Sequence, residues 1–241
     1  AFLFVISRID FTQPLAPGAP RLRHAFGTPR EVLAAHALHE VRGVLDAVFA
    51  AAQQGRWCVG FVRYEAAAAF DAALLTHAAD GPLAWFAVHD APLPWHEGAD
   101  GGAGDPPAQV TWTDSPDRAT FDAALAQIQR AIAAGELYQV NYTAPLSGQL
   151  LQGSAQALFQ ALQRSQPGGY AAFIDTGNEQ VLSVSPELFF DWESGAHGDP
   201  AGGAILARPM KGTAPRGATP AQDVANAEHL RSSPKERAEN V

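Results

Sequence analysis

Four of the five Ser/Thr-Pro dipeptides in this chain each open a stretch with helical character: Thr28-Pro29, Ser115-Pro116, Thr219-Pro220 and Ser233-Pro234. The hydroxyl accepts from backbone N–H groups that a helix leaves open at its start. Proline at the first helical position brings a preset φ and gives up only an N–H that has no partner there. Three of the four add Glu31, Gln222 or Glu236 three residues on, which completes a capping box. Behind Thr28 an apolar stripe of Val32, Leu33, Ala35, Leu38, Val41, Val44, Leu45 and Val48 predicts one long amphipathic helix that ends at Gly55. Phe121, Leu125, Ile128 and Ile132 predict a second helix, stopped by Gly135. Ser154 opens a shorter one with Leu158, Phe159 and Leu162, ended by Pro167-Gly168-Gly169.

Between the helices lie β-branched and aromatic runs. Trp57–Val62, Leu83–Val88 and Gln109–Trp112 read as short strands and Leu137–Leu146 as a longer one. Ala171–Ile174, Gln180–Val184 and Leu188–Trp192, separated by Asp175-Thr176-Gly177-Asn178 and Ser185-Pro186, read as an antiparallel meander. Helices interspersed with antiparallel strands predict an α+β protein. His96–Pro107 has no apolar period and reads as a linker, and Ser194–Gly203 as a polar loop. The expected division is residues 1–107 and 108–241.

With 47% hydrophobic and 17% charged residues the chain is of globular type. No apolar run approaches the roughly 18 residues of a membrane span, and the opening Ala-Phe-Leu-Phe-Val-Ile lacks the flanks of a signal peptide. A cytoplasmic protein without membrane partners is expected. A net charge of −9 removes the attraction on which phosphate-backbone binding depends, so nucleic acid is not an expected partner.

Several generic signals carry no function. The lone Cys58, between Trp57 and Val59, reads as a small buried hydrophobe. Gly101-Gly102-Ala103-Gly104 lacks the strand and helix of a phosphate loop, and His36 and His39 lack a third ligand. Composition is more telling: the 16 basic residues are 14 Arg and only two Lys, Lys211 and Lys235. Lys211 lies in a rigid Pro209-Met210-Lys211-Gly212-Thr213 setting, as either an amine nucleophile or a surface loop lysine. Glu187, at the start of the aromatic Leu188-Phe189-Phe190 run, is either a general acid or a turn residue facing water. Glu236 and Glu239 share a helix face, as metal ligands or as partners of the helix dipole.

Four motifs occur in a recognisable order: Gly135-Glu136-Leu137-Tyr138-Gln139-Val140-Asn141-Tyr142-Thr143, Ser185-Pro186-Glu187, Pro209–Arg216, and Lys235-Glu236-Arg237-Ala238-Glu239-Asn240-Val241. Together they resemble the chorismate-utilising enzymes. Upstream, Gly60–Ala67 and Ala69-Phe70-Asp71 are similar to the N-terminal half of the aminodeoxychorismate synthase component I branch. The resemblance implies a two-lobed antiparallel β-sandwich with surrounding helices. Gln139 stands where water-adding members have a lysine, and Lys211 where anthranilate synthases typically have Ala, so the similarity points to the ammonia-using branch that makes 4-amino-4-deoxychorismate in folate biosynthesis. Anthranilate synthase component I is the alternative within the family, and a non-catalytic binding fragment the alternative outside it.

By the same resemblance Lys211 would attack C2 of chorismate, with Glu187 protonating the departing C4 hydroxyl. Gly212, Thr213 and Gln139 would line the substrate, Glu239 would hold Mg²⁺, and Glu236 would be a helix cap. The implied partners are chorismate, a glutamine amidotransferase that delivers ammonia, and a fused or separate aminodeoxychorismate lyase. Family members continue beyond the Ala238-Glu239-Asn240 motif, so the chain is expected to be truncated and, by itself, inactive.

Overall fold

The computed structural model describes residues 6–13, 18–95, 106–114, 116–195, 202–210 and 212–239, without the side chains of Asp114 and Glu239. The elements in chain order are β1 (Ser7–Phe11), β2 (Leu22–Phe26), β3 (Glu31–Ala35), α1 (Leu38–Gln53), β4 (Trp57–Val62), a 3-10 turn (Tyr64–Ala69), β5 (Ala84–His89) and β6 (Gln109–Asp114). They continue with α2 (Arg118–Ala133), β7 (Ser147–Gln152), α3 (Ala155–Ser165), β8 (Tyr170–Asp175), β9 (Gln180–Ser185), β10 (Leu188–Glu193), β11 (Ala204–Arg208), α4 (Pro220–Ser232) and α5 (Pro234–Glu239). The sheets have the orders β2-β1-β8-β9, β3-β5-β4, β6-β7 and β10-β11. The last three are antiparallel, and the α+β expectation holds.

Two units emerge: Ala1–Arg8 with His24–Ser165 and Phe173–Leu182, and Ile9–Arg23 with Gln166–Ala172 and Ser183–Val241. In the first, α1 and the 3-10 turn bury Ala35, Val41, Ala66, Leu83 and Ala84, with Val44, Leu45 and Phe86 packed against them. The same unit holds Phe159 of α3 against Phe173, ring centres 5.8 Å apart. Arg63 pairs with Glu179 and donates to the Pro82 carbonyl at 2.9 Å.

Capping chemistry accounts for most helix starts. Ser154 Oγ accepts from Ala157 N at 3.1 Å, and Thr219 Oγ1 from Gln222 N at 3.3 Å, while the Gln222 side chain accepts in turn from Ala218 N at 3.0 Å. Helix α2 is capped by Asp117, whose carboxylate accepts from Thr120 N at 2.7 Å and is thereby held below the usual carboxylate range. The expected start, Ser115, lies outside the described residues. The far end of α2 is a Schellman closure around Gly135, at φ 76°: Gly135 N donates to Ile132 O and Glu136 N to Ala131 O, both at 3.0 Å.

Three expectations fail for identifiable reasons. The long helix expected from Thr28 is a strand followed by a helix. Glu31–Ala35 pairs residue for residue with Val88–Ala84, so the β-branched and small residues read as a helical stripe form a ladder instead. Helix α1 then starts at Leu38, where the Glu40 carboxylate accepts from His36 N at 2.8 Å and Ala37 N at 3.0 Å. Leu137–Leu146 is not a strand. The partner β6 is taken by Ser147–Gln152, and Pro145 has no N–H to give. The third strand of the expected meander leaves it, because β10 pairs with β11, Leu188 opposite Arg208 and Glu193 opposite Ala204. The linker expected at His96–Pro107 lies mostly outside the described residues, as do Gly101-Gly102-Ala103-Gly104 and part of the Ser194–Gly203 loop. Among the described residues no helix is long and apolar enough to cross a membrane.

Candidate active site

In the second unit β11 delivers the chain to Pro209, and the described residues from there to Ala218 have no regular structure, so their placement comes from tertiary anchors. Helix α4 supplies most of them. Asn226 Nδ2 donates to the Pro215 carbonyl at 2.9 Å, and Asp223 Oδ1 accepts from Gly217 N at 2.6 Å. The other Asp223 oxygen pairs with the Arg216 guanidinium at 2.5 Å. Near the front of the segment Gly212 sits at φ 52°, with its open side facing α5: a Cβ there would fall onto Glu236 Oε2 and lie 2.5 Å from Glu236 Cδ. Gly212 is half-buried, Thr213 is exposed, and Lys211 lies outside the described residues.

Glu236 is not the helix-cap carboxylate expected of a capping box. The Ser233 amide that such a carboxylate would accept from already donates to His229 O at 3.0 Å, which ends α4. Ser233 Oγ caps α5 by accepting from Glu236 N at 3.4 Å, and the Glu236 side chain is turned onto Gly212. The missing side chain at 212 thus makes room for a carboxylate of the protein itself.

Glu187 follows a compact turn in which Ser185 Oγ accepts from Glu187 N at 3.2 Å and donates to Glu187 O at 3.0 Å. The turn leaves Glu187 exposed at the head of β10, beside Phe189 and Phe190, whose rings meet edge-on with centres 5.1 Å apart. Gln139 belongs to the first unit, in the irregular run that follows the closure of α2. It is exposed, next to Tyr138 at 93% relative exposure, while Tyr142 packs edge-on against Phe121 with centres 5.7 Å apart.

For a metal, α5 carries Glu239, while the Glu236 carboxylate three residues earlier is turned onto Gly212. A glutamate is an oxygen donor of the kind Mg²⁺ takes alongside water and ligand oxygens. The donor chemistry fits a hard divalent cation, although the Glu239 side chain lies outside the described residues and no cluster of three His, Cys, Asp or Glu residues forms among those described. Cys58 is half-buried, short of the buried position its sequence context implies; its Sγ lies 3.7 Å from Val48 O, and burial pushes its thiol pKa up, away from reactivity.

Comparison with known proteins decides the family. The sequence profile of the chorismate binding enzymes matches residues 99–241, more than half of the chain. The chain belongs to that family. Among relatives, the chain is 35% identical over 130 residues to aminodeoxychorismate synthase component 1 of Klebsiella aerogenes, a match covering 54% of the chain and 27% of that protein. It is 41% identical over 113 residues to an aminodeoxychorismate synthase of Streptomyces griseus, covering 47% and 14% of the two. Proteins named anthranilate synthase component 1 match at 31% to 34% identity. A crystal structure described as a 2,3-dihydroxybenzoate-specific isochorismate synthase, DhbC, from Bacillus anthracis superposes with a TM-score of 0.61 at 18% identity. That superposition covers 98% of this chain and 56% of the other, and supports the chorismate-utilising fold. The matched region spans about a quarter or less of these two curated relatives.

Proposed function

We propose that this chain is part of an aminodeoxychorismate synthase component I, which converts chorismate and ammonia to 4-amino-4-deoxychorismate, as in folate biosynthesis. The observation that carries the reading is Lys211, one of two lysines in the chain, at the centre of Pro209-Met210-Lys211-Gly212-Thr213. Relatives bearing that name add support. The neutral Lys211 amine attacks C2 of chorismate and forms an N–C2 bond. Both ring double bonds shift in conjugation, and the C4–O bond breaks with a proton from Glu187, so that the hydroxyl leaves as water. Ammonia then bonds to C4, the N–C2 bond breaks, and Lys211 is released as the free amine.

The Gly212 amide and Thr213 hydroxyl are donors for the substrate. Gln139 provides no basic group to activate water, which leaves C4 to ammonia. Glu239 would hold Mg²⁺, and the bound ion supplies positive charge for the ring carboxylate. Glutamine supplies the ammonia through a partner amidotransferase, and an aminodeoxychorismate lyase, fused or separate, consumes the product. Residues 1–107 would form an N-terminal lobe and 108–241 the first half of the chorismate-binding domain of a cytoplasmic protein.

The test is product identification from chorismate and ammonium with the protein carrying this chain. The expected product is 4-amino-4-deoxychorismate, and Lys211→Ala should lower its formation by about 100-fold or more, the scale of losing a covalent nucleophile. Anthranilate as the product would overturn the reading in favour of the second one, which the matches to anthranilate synthases favour and Lys211 opposes.

A further inference from the structure

We propose that Glu236 is a positioning residue: its carboxylate, seated on the bare α-carbon of Gly212, fixes the backbone at Gly212, the residue that follows Lys211 in the chain. The catalytic part of this inference rests on the role assigned to Lys211 above, whereas the positional part does not.

The argument starts from what holds the Pro209–Ala218 segment. Its described residues make no ladder and no helix, and most are exposed to water, so what fixes its position is the set of side chains that reach it from elsewhere. Its downstream half is held at three successive points by α4: Pro215 O by Asn226, Gly217 N by Asp223, and Ala218 N by Gln222. Its upstream half meets α5, where Glu236 fills the space in which any residue but glycine would place a side chain. Helices α4 and α5 follow one another directly. Ser233 serves both, ending α4 through its amide and opening α5 through its hydroxyl and carbonyl, with Arg237 N donating to Ser233 O at 3.0 Å.

The two helices therefore act as one bracket with two grips on the segment, and Lys211 immediately precedes the residue in the upstream grip. Two observations make the Glu236 contact more than a coincidence of packing. Its side chain is released from the capping role that its sequence position implies, and Gly212 sits at a φ of 52°, where a side chain is disfavoured even without the carboxylate. Filling that space or emptying it should thus have the same outcome, a loosened segment. The isosteric Glu236→Gln should preserve it, because what the contact requires is the length and planarity of the group.

The experiment is amide hydrogen exchange, read peptide by peptide, on the protein carrying this chain and on Gly212→Ala, Glu236→Ala and Glu236→Gln. In parallel, acylation of Lys211 is measured against Lys235 by mass spectrometry, and kcat and KM are measured with chorismate. Gly212→Ala and Glu236→Ala should each raise exchange over residues 209–218 by about tenfold, while the central amides of α4 stay protected. Both should change the Lys211 acylation ratio, and both should lower kcat with little change in KM. Glu236→Gln should stay within about twofold of the parent on every measure.

Exchange over 209–218 that stays at the parent level in both alanine variants overturns the positional inference, whatever the turnover. Loosened exchange with unchanged kcat overturns the catalytic part. The exchange and acylation measurements need no turnover, so a protein that makes no 4-amino-4-deoxychorismate overturns the functional reading and leaves the grip on Gly212 separately decided.

Discussion

Single side chains hold the second unit together where its backbone has no regular partner. Arg21 donates through NH2 to Asp10 O at 2.9 Å and Gly169 O at 2.7 Å, through NH1 to Thr12 Oγ1 at 2.7 Å, and through Nε to the Asp10 carboxylate. Asp10 is buried at 7% side-chain exposure, with Arg23 3.4 Å away on the same oxygen. Arg21→Ala removes the nearer cation and one donor from each of two carbonyls, leaving Gly169 O only the longer 3.5 Å bond from Thr12 Oγ1, a loss of about 3 kcal/mol by denaturant unfolding; Arg21→Lys should not restore it, because an ammonium cannot reproduce the planar fork. His89 is a different case. It is 4% exposed, its Nε2 is buried without a hydrogen-bond partner, its ring lies 4.9 Å from that of Phe26, and burial holds its pKa below the ordinary 6.5. Below pH 6.5 the unfolded chain takes up a proton that the folded one resists, so this contribution to stability is present above 6.5 and lost as the pH falls toward the folded value. Thermal unfolding between about pH 7.5 and pH 5 should show a smaller acid loss for His89→Leu than for the parent. At this scale the sequence was informative about Lys211, because its scarcity is a matter of counting. The contact of Glu236 with Gly212 was hidden, because it joins residues on different elements and the local capping pattern offered a sufficient role for the glutamate.

At the scale of elements, legibility followed the range of the interaction. Starts fixed by a hydroxyl or carboxylate three residues away, as at Ser154, Thr219 and Ser233, were readable, because the partners lie in one turn. Strand β1 was not, since its buried positions include Ser7, Arg8 and Asp10, and a polar inward face has no hydrophobic alternation to detect. Strand β3 was lost to a helix because its partner β5 lies some fifty residues downstream, beyond any local window. Within the same sheet Gly60 lies opposite Phe86, and a Cβ there would lie 2.6 Å from Phe86 Cδ1 and 2.7 Å from its Cα. Gly60→Ala must therefore push β4 off β5, with an expected cost of about 2 kcal/mol or more in chemical denaturation. Gly43, where an added Cβ would meet nothing within 4 Å, is the control: Gly43→Ala in the middle of α1 should be neutral or stabilising.

For the whole molecule, the described side chains assigned to chemistry are accessible to water: Gln139, Glu187 and Thr213 are all exposed in the 241-residue chain. A general acid and a site for a displaceable ammonia work best where water is excluded. Residues 1–241 by themselves are accordingly expected to release no detectable 4-amino-4-deoxychorismate from chorismate and ammonium, and measurable turnover would sink that expectation. The order of the four-stranded sheet bears on how such a chain is made. Strand β1 lies between β2 and β8, and Asp175 N at the end of β8 donates to Ile6 O at 2.7 Å. At a synthesis rate of about 5–20 residues per second, β2 emerges almost at once, but β8 follows about 160 residues later, so one edge of β1 waits on the order of 10–30 seconds beside the ribosome. The polar side chains that made β1 hard to recognise are also those that keep a nascent strand from adhering to its neighbours during that wait.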